Sequence, residues 1–102
     1  MEDRALITAF DHETRTLYVS GSVDELSGVH LRDDITKYSA DHTEDLTVDL
    51  VDVDLLPSVG VGVLAVAIRQ AESNGATIEL VARKETIVQR VLTICGMPFR
   101  ER

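Results

Sequence analysis

The sequence predicts an α/β fold in which a four-stranded mixed β-sheet carries three helices. Three consecutive segments of the 102-residue chain support this prediction. Residues 46–51 resemble a buried strand, residues 58–74 form a long, mainly apolar run typical of a helix, and residues 77–81 form a second β-prone run. Because a strand, a helix and a strand in succession form a right-handed crossover, the two strands are predicted to be parallel. A chain of this length is expected to form one domain.

The N-terminal part of the chain has the pattern of a β-hairpin. Two β-prone runs, residues 5–10 and 16–20, flank the polar and turn-prone residues 11–15. Alternation of apolar and polar residues in the second run predicts one face in the core. The first strand is therefore predicted to be antiparallel and to lie at an edge of the sheet.

A first helix is predicted from Asp24 to about His42, after a strand break at residues 21–22. Asp24 is a favoured N-cap residue. Leu31, Ile35 and Tyr38 fall on one helical face, but Leu26 and Val29 do not lie cleanly on it. Two interpretations follow for Leu26 and Val29: they pack at the start of the helix, or they form an exposed apolar patch for a partner.

The second helix is predicted to begin at Ser58, acting as its N-cap, and to end at Gly75. Residues 59–63 alternate with a period of two, which is also compatible with a strand. The length of the apolar run and the helix-forming tail to Asn74 favour the helix. Gly60 and Gly62 are predicted to allow close approach to the sheet or to a partner, since glycine weakens a helix without such a reason.

A last helix is predicted over residues 86–95, ended by Gly96, with Pro98 preventing its return. Ile87 and Ile94 are assigned to its apolar face, and Cys95 is predicted to be a buried, inert thiol. Residues 99–102 are expected to form a frayed tail.

Composition argues against several classes of function. A formal net charge of −8 disfavours nucleic acid and anionic membrane surfaces as partners. No run is long enough to span a bilayer, and the N-terminus lacks the pattern of a signal peptide, so the cytoplasm is the expected location. The three histidines lack metal-ligand spacing, and no nucleophile–base pattern is visible, so no metal, cofactor or enzymatic activity is predicted. Alternating Asp49, Asp52 and Asp54 are interpreted as strand and loop residues rather than as an acid or cation site.

Three motifs, in order along the chain, resemble the STAS domain of bacterial anti-sigma factor antagonists. The main one runs Pro57-Ser58-Val59-Gly60-Val61-Gly62, where the family usually has Asp-Ser-Ser-Gly-Leu-Gly. The others are Gly21-Ser22-Val23-Asp24 and the helix end Leu92-Thr93-Ile94-Cys95-Gly96-Met97. Together with the strand and helix signals between them, they cover nearly the whole chain.

The resemblance implies a regulatory function. In the family, the serine that matches Ser58 is phosphorylated by its partner, an anti-sigma factor with ATP-dependent serine kinase activity. The unphosphorylated form binds this partner and frees a sigma factor. By this resemblance, the partner-binding residues are Asp24, Leu26, Pro57, Ser58, Val59, Gly60, Val61 and Gly62.

Two departures from the family motif leave an alternative open. Pro57 replaces the usual Asp and removes a carboxylate and a backbone donor, and Val59 replaces a second Ser. Related STAS domains work without phosphorylation, as constitutive subunits of sensory complexes or of lipid transporters. The alternative prediction is such a constitutive subunit.

Overall fold

The computed structural model describes residues 4–102. Within them, five strands and three helices alternate in a mixed α/β arrangement. Their bounds are β1 Ile7–Asp11, β2 Thr16–Ser22, α1 Glu25–Tyr38, β3 Leu46–Leu55, α2 Ser58–Ser73, β4 Ile78–Ala82, α3 Ile87–Ile94 and β5 Arg100–Glu101.

The strands form one sheet in which spatial order follows chain order, β1-β2-β3-β4-β5. β1 pairs with β2 in antiparallel fashion, whereas the other neighbouring pairs are parallel. The predicted mixed sheet, the antiparallel edge hairpin and the β3–α2–β4 crossover are therefore confirmed.

The number of strands is corrected from four to five. Residues 99–102, expected to fray, place β5 beside β4, and the backbone N–H of Arg102 donates to the carbonyl of Ala82 at 3.0 Å. The Arg102 guanidinium also forms an ion pair with the carboxylate of Asp49, which is only 4% exposed. A buried carboxylate needs a compensating charge or hydrogen bonds, and the tail supplies both the cation and the donor.

The predicted strand break at residues 21–22 is also wrong, because β2 continues to Ser22. Gly21 allows this continuation through a backbone conformation with φ +92°. A Cβ at this position would lie 2.1 Å from the carbonyl oxygen of Ala5. Only glycine adopts this conformation without strain, and only glycine lacks the Cβ that would collide with the backbone of Ala5.

The first helix begins as predicted, with Asp24 as its N-cap, but ends at Tyr38 rather than near His42. Ala40, Asp41 and His42 all have positive φ values, 49°, 60° and 66°, and cannot continue a right-handed helix. The predicted inward face is confirmed, since Leu31 and Ile35 are fully buried.

The core between the helices and the sheet is aliphatic. Its most deeply buried large residues come from every helix and three central strands: Leu17, Leu31, Ile35, Leu46, Val48, Leu50, Leu64, Leu80, Val81, Val88 and Leu92. α1 packs beside α2, and α3 contacts β3.

The last helix has a narrower buried face than predicted. Val88 and Leu92 are buried, but Ile87 is 57% and Ile94 77% exposed. Cys95, predicted to be buried, is exposed at the C-cap of α3. The buried face is marked by Val88 and Leu92, which are four residues apart. Ile87 lies one residue before Val88 and Ile94 two residues after Leu92, so neither isoleucine is on that face.

Candidate partner-binding surface

The starts of α1 and α2 lie side by side. A Cβ added to Gly28 of α1 would lie 3.5 Å from Cγ2 of Val59 in α2, so the two helices are in van der Waals contact there. α1 follows β2 and α2 follows β3, and these two strands are parallel. Both helix N-termini therefore lie at the carboxyl end of the sheet. We call this the α1–α2 surface and define it by Asp24, Leu26, Val29 and residues 57–62.

Ser58 is the first residue of α2, and the prediction that it caps the helix is wrong by one position. Pro57 is the N-cap residue, with φ −73° and ψ 175°, and it makes no side-chain cap hydrogen bond. Its carbonyl oxygen accepts hydrogen bonds from the N–H groups of Gly60 at 2.9 Å and Val61 at 3.1 Å. Proline provides the extended conformation that a cap requires, since its ring fixes φ. Ser58 is exposed and is left free of the capping role.

Leu26 is the most exposed large apolar residue on this surface. Its exposed fraction is 81%, and those of Val29 and Val59 are 45% and 37%. The interpretation that Leu26 and Val29 pack at the helix start is therefore wrong, and their exposure is confirmed. These exposed apolar side chains are available for contact with a partner.

Val66 extends the apolar area along α2 and was missed in the sequence. It is 50% exposed and lies seven residues after Val59, which is two helical turns on the same face. This seven-residue spacing was the available signal. The apolar area therefore continues from the start of α2 towards its middle.

The two glycines of α2 have different environments. Gly60 is buried, and a Cβ there would lie 2.7 Å from Cδ1 of Leu56 and 3.1 Å from Cγ1 of Val23. Close approach is therefore confirmed for Gly60. Gly62 is exposed, and a Cβ there would have no neighbour within 4 Å in the described chain. The expected approach of Gly62 to the sheet is wrong, and its contact with a partner stays a prediction.

Asp24 has a structural task in addition to its position on the surface. Its Oδ1 accepts a hydrogen bond from the N–H of Ser27, and the Ser27 hydroxyl accepts one from the N–H of Asp24, both at 2.8 Å. This reciprocal capping box satisfies donors that the first helical turn leaves unpaired. The hydrogen bonds from the backbone and hydroxyl of Ser27 lower the pKa of Asp24 from its ordinary value, so the carboxylate is ionised at neutral pH.

The aspartates of β3 make structural contacts, which supports their interpretation as strand residues. Arg4 binds Asp54 through two hydrogen bonds, of 2.7 and 2.9 Å, and donates to the carbonyl of Asp52 at 2.7 Å. This hydrogen bonding lowers the pKa of Asp54 and raises that of Arg4. Asp49 accepts a hydrogen bond from the N–H of Val51 at 2.9 Å, in addition to its ion pair with Arg102.

No three His, Cys, Asp or Glu side chains of residues 4–102 are grouped so that they could hold a metal ion. None of the helices in the same range has the length and apolar character needed to cross a membrane.

A protein-family model described as "Mlab, STAS domain" matches residues 7–98. The chain belongs to the STAS-domain family. The match includes every residue of the α1–α2 surface, and it confirms the family resemblance that the three sequence motifs indicated.

Solved structures of similar fold include two proteins described as anti-sigma factor antagonists. The crystal structure of one from Mycobacterium paratuberculosis is 24% identical, with a TM-score of 0.79, over 94% of this STAS domain and 86% of that chain. A putative one from Thermotoga maritima is 14% identical, with a TM-score of 0.68, over 94% and 84% of the two chains. At these identities the likeness establishes the fold. No curated protein matches this chain in sequence.

Proposed function

We propose that this STAS domain is an anti-sigma factor antagonist that binds an anti-sigma factor kinase through the α1–α2 surface and is switched by phosphorylation of Ser58. The exposed position of Ser58 at the start of α2, beside the exposed Val59, is the observation that carries the proposal. The two structurally similar antagonists support the same role. No catalytic role is assigned to this chain, and the ATP belongs to the partner. The cytoplasm, where sigma factors act, is the proposed location.

The chemistry of the surface suits a protein partner with an apolar contact and basic groups around it. Leu26, Val29 and Val59 provide the apolar centre, and the charge of the whole chain is −8. Burial of Leu26 by a partner would remove a largely exposed leucine from water, worth about 1.5–3 kcal/mol. Complementary charge would increase the rate of association and would select against acidic partners.

Phosphorylation would change this surface without unfolding the domain. A phosphate on Ser58 carries about −1.5 to −2 charges and would lie at the positive end of α2, where a helix tolerates negative charge. The same charge would lie beside the apolar side chain of Val59, and desolvating it in an interface is costly. The phosphorylated form is therefore expected to stay folded and to release its partner.

The second candidate function is a constitutive subunit of a sensory complex or a lipid transporter, without phosphorylation. Pro57 favours this candidate, because it stands in place of the carboxylate expected before the serine and makes no side-chain hydrogen bond to the first turn. In this candidate the α1–α2 surface is a permanent apolar interface.

The two functions are distinguished by capture from an extract of the source cells, with and without ATP and magnesium, followed by mass spectrometry of the bait. A kinase partner and one added phosphate on Ser58 support the first function. A partner complex that is independent of ATP, with Ser58 unmodified, replaces the first function with the second.

Variants of Ser58 test the switch. Ser58→Ala should bind the partner and fail to release it, while Ser58→Asp should fold normally and bind poorly. Because Pro57 is the cap, neither variant removes a cap hydrogen bond, and a loss of binding would not arise from instability. Ser73→Asp, at the other end of the same helix, is the control for added charge and should bind like the parent, although negative charge at that end lowers the stability of the helix. Equal binding by Ser58→Asp and the parent would contradict the switch.

Leu26→Asp tests the apolar contact. It should abolish partner capture and leave the melting temperature nearly unchanged, since Leu26 is 81% exposed. Ile94→Asp is the matched control, because Ile94 is similarly exposed, at 77%, on α3. Equal loss of capture in both variants would indicate non-specific apolar binding and would reject this surface.

A further inference from the structure

The two edges of the sheet are built differently. β5 has two residues, lies two residues after Pro98, and belongs to a segment, residues 100–102, in which every side chain is charged. Short length, charge and proline are means by which proteins protect an edge strand from pairing with another chain. β1 has five residues and pairs with β2 in unbroken register. Residues 5–10 contain no charge, proline or glycine, so β1 lacks the protection that β5 has.

The outward backbone groups of β1 are available for pairing. In an edge strand, alternate N–H and C=O groups point away from the neighbouring strand. Within residues 4–102, no loop or side chain forms a hydrogen bond with the backbone of Ile7–Asp11, whose pairing is with β2 alone. A further strand would therefore find a free row of donors and acceptors there.

The helices cover one face of the sheet. The strands from β2 to β5 are parallel neighbours in chain order, and a helix connects each to the next. Right-handed crossovers that all move in the same direction place their helices on the same face. On β1, Thr8 and Phe10 point to this face, because the Thr8 hydroxyl donates to Asp34 of α1 at 2.7 Å and the Phe10 ring stacks on Tyr38 of α1 at 4.2 Å.

Three apolar residues beside the β1 edge lie on the opposite face. Ile7 and Ala9 alternate with Thr8 along the strand, and Ala9 pairs with Tyr18 of β2. Ile7 is 65% and Tyr18 41% exposed, and Ala9 is exposed as well. We propose that β1 pairs with β1 of a second copy of this chain, antiparallel about a two-fold axis. The two five-stranded sheets then form one continuous sheet, and Ile7 and Ala9 lie beside the same residues of the copy.

A second copy fits this edge because an antiparallel pair of identical strands is self-complementary. The chain charge of −8 opposes self-association, but the charges nearest to β1 are balanced, two acidic and two basic: Asp11, Asp34, Arg15 and Lys37. One strand from each copy makes a small interface, so the dimer is expected to be reversible. The two-fold axis reverses the strand direction and places the two α1–α2 surfaces at opposite ends of the joined sheet. The dimer is therefore compatible with the proposed function and does not depend on it.

Sedimentation equilibrium of the intact chain, from micromolar to millimolar concentration, tests the proposal. A reducing agent is included because Cys95 is exposed. The expected result is a reversible dimer, with amide hydrogen exchange that slows at every second residue of β1 as the concentration rises, since only the outward N–H groups gain a partner. A monomer at all concentrations, or a dimer without this alternating protection, would overturn the proposal.

Two matched variants locate the interface. Ile7→Glu adds a negative charge at the exposed edge and should raise the dissociation constant of the dimer at least about tenfold. Its urea midpoint should stay close to that of the parent, because Ile7 is 65% exposed. Ile94→Glu adds the same charge at a 77% exposed position on α3 and should leave the dissociation constant unchanged. Equal weakening by both variants, or an unaffected dimer in Ile7→Glu, would reject pairing through β1.

Discussion

Replacing each glycine of α2 by alanine separates helix propensity from packing. Neither Gly60 nor Gly62 has a left-handed backbone, so alanine fits both conformations. At Gly62 the new methyl group meets no described atom within 4 Å. Gly62→Ala should therefore stabilise the domain by about 0.5–1 kcal/mol, the usual advantage of alanine over glycine within a helix.

Gly60→Ala has the same gain in propensity but must also displace neighbours. Its Cβ would lie 2.7 Å from Cδ1 of Leu56, and Leu56 is itself 3% exposed and confined by the core. Overpacking of this kind typically costs about 1–3 kcal/mol. Because the propensity gain is common to both variants, their difference in stability should equal this packing cost.

Urea denaturation of both variants measures the difference directly, and thermal melts should separate them by about 4–8 °C for each kcal/mol. Unchanged slopes of the urea transitions would show that the same folded state is being compared. Equal stabilisation by Gly60→Ala and Gly62→Ala would refute the close-approach argument. Partner capture by Gly62→Ala adds a second result, because loss of capture with higher stability would place Gly62 in the interface.

Two further predictions concern the helix cap and the C-terminal strand. Asp24→Ala should lower the urea midpoint at neutral pH, whereas Asp24→Asn should nearly retain it. Because Ser27 lowers the pKa of Asp24 in the folded state, the stabilisation that depends on the negative charge is complete above the ordinary carboxyl range. That part is lost as the pH falls through the lowered pKa, so the gap between the parent and Asp24→Ala should narrow in acid, and a constant gap would contradict this. Arg102→Gln should cost roughly 1–3 kcal/mol by urea denaturation because it leaves the buried Asp49 without its cation. Arg100→Gln, which breaks an exposed ion pair, should cost about 0–1 kcal/mol, and equal costs would reject the role of Asp49.

The long, patterned elements of this domain could be predicted from its sequence, whereas short or context-dependent ones could not. The apolar run of α2 outweighed the strand-like alternation at its start because a buried helix accepts valine when packing compensates for propensity. β5 has two residues, too few for any pattern, and it depends on long-range pairing with β4 and on the neighbouring ion pair between Arg102 and Asp49. The cap of α2 was assigned one residue late, because side-chain preference favours Ser58 while backbone geometry selects Pro57.

The residues of the candidate sites also differ in how far the sequence predicts their position. The helical period of α1 separated Leu26 from the buried face, but it left open whether Leu26 packs at the helix start or is exposed. Cys95 was placed wrongly, since its spacing from Val88 and Leu92 indicates the buried face but the residue is the C-cap at the end of α3, where it is exposed. The hydrogen bond from the Thr8 hydroxyl to the carboxylate of Asp34 gave no sequence signal, because β1 and α1 come together only in the folded chain.

The strands lie in the sheet in the same order as in the chain, and this order affects how the fold can assemble. Each strand pairs with the one before it in sequence, so no strand has to be inserted between two that are already paired. The sheet can grow by successive addition at one edge, beginning from the β1–β2 hairpin, whose contacts are the most local and the fastest to form. Each later addition closes a longer loop than the hairpin does and is correspondingly slower than hairpin formation. β5 is the last addition in this order, and its loss would uncover one edge of the sheet while leaving the other pairings intact.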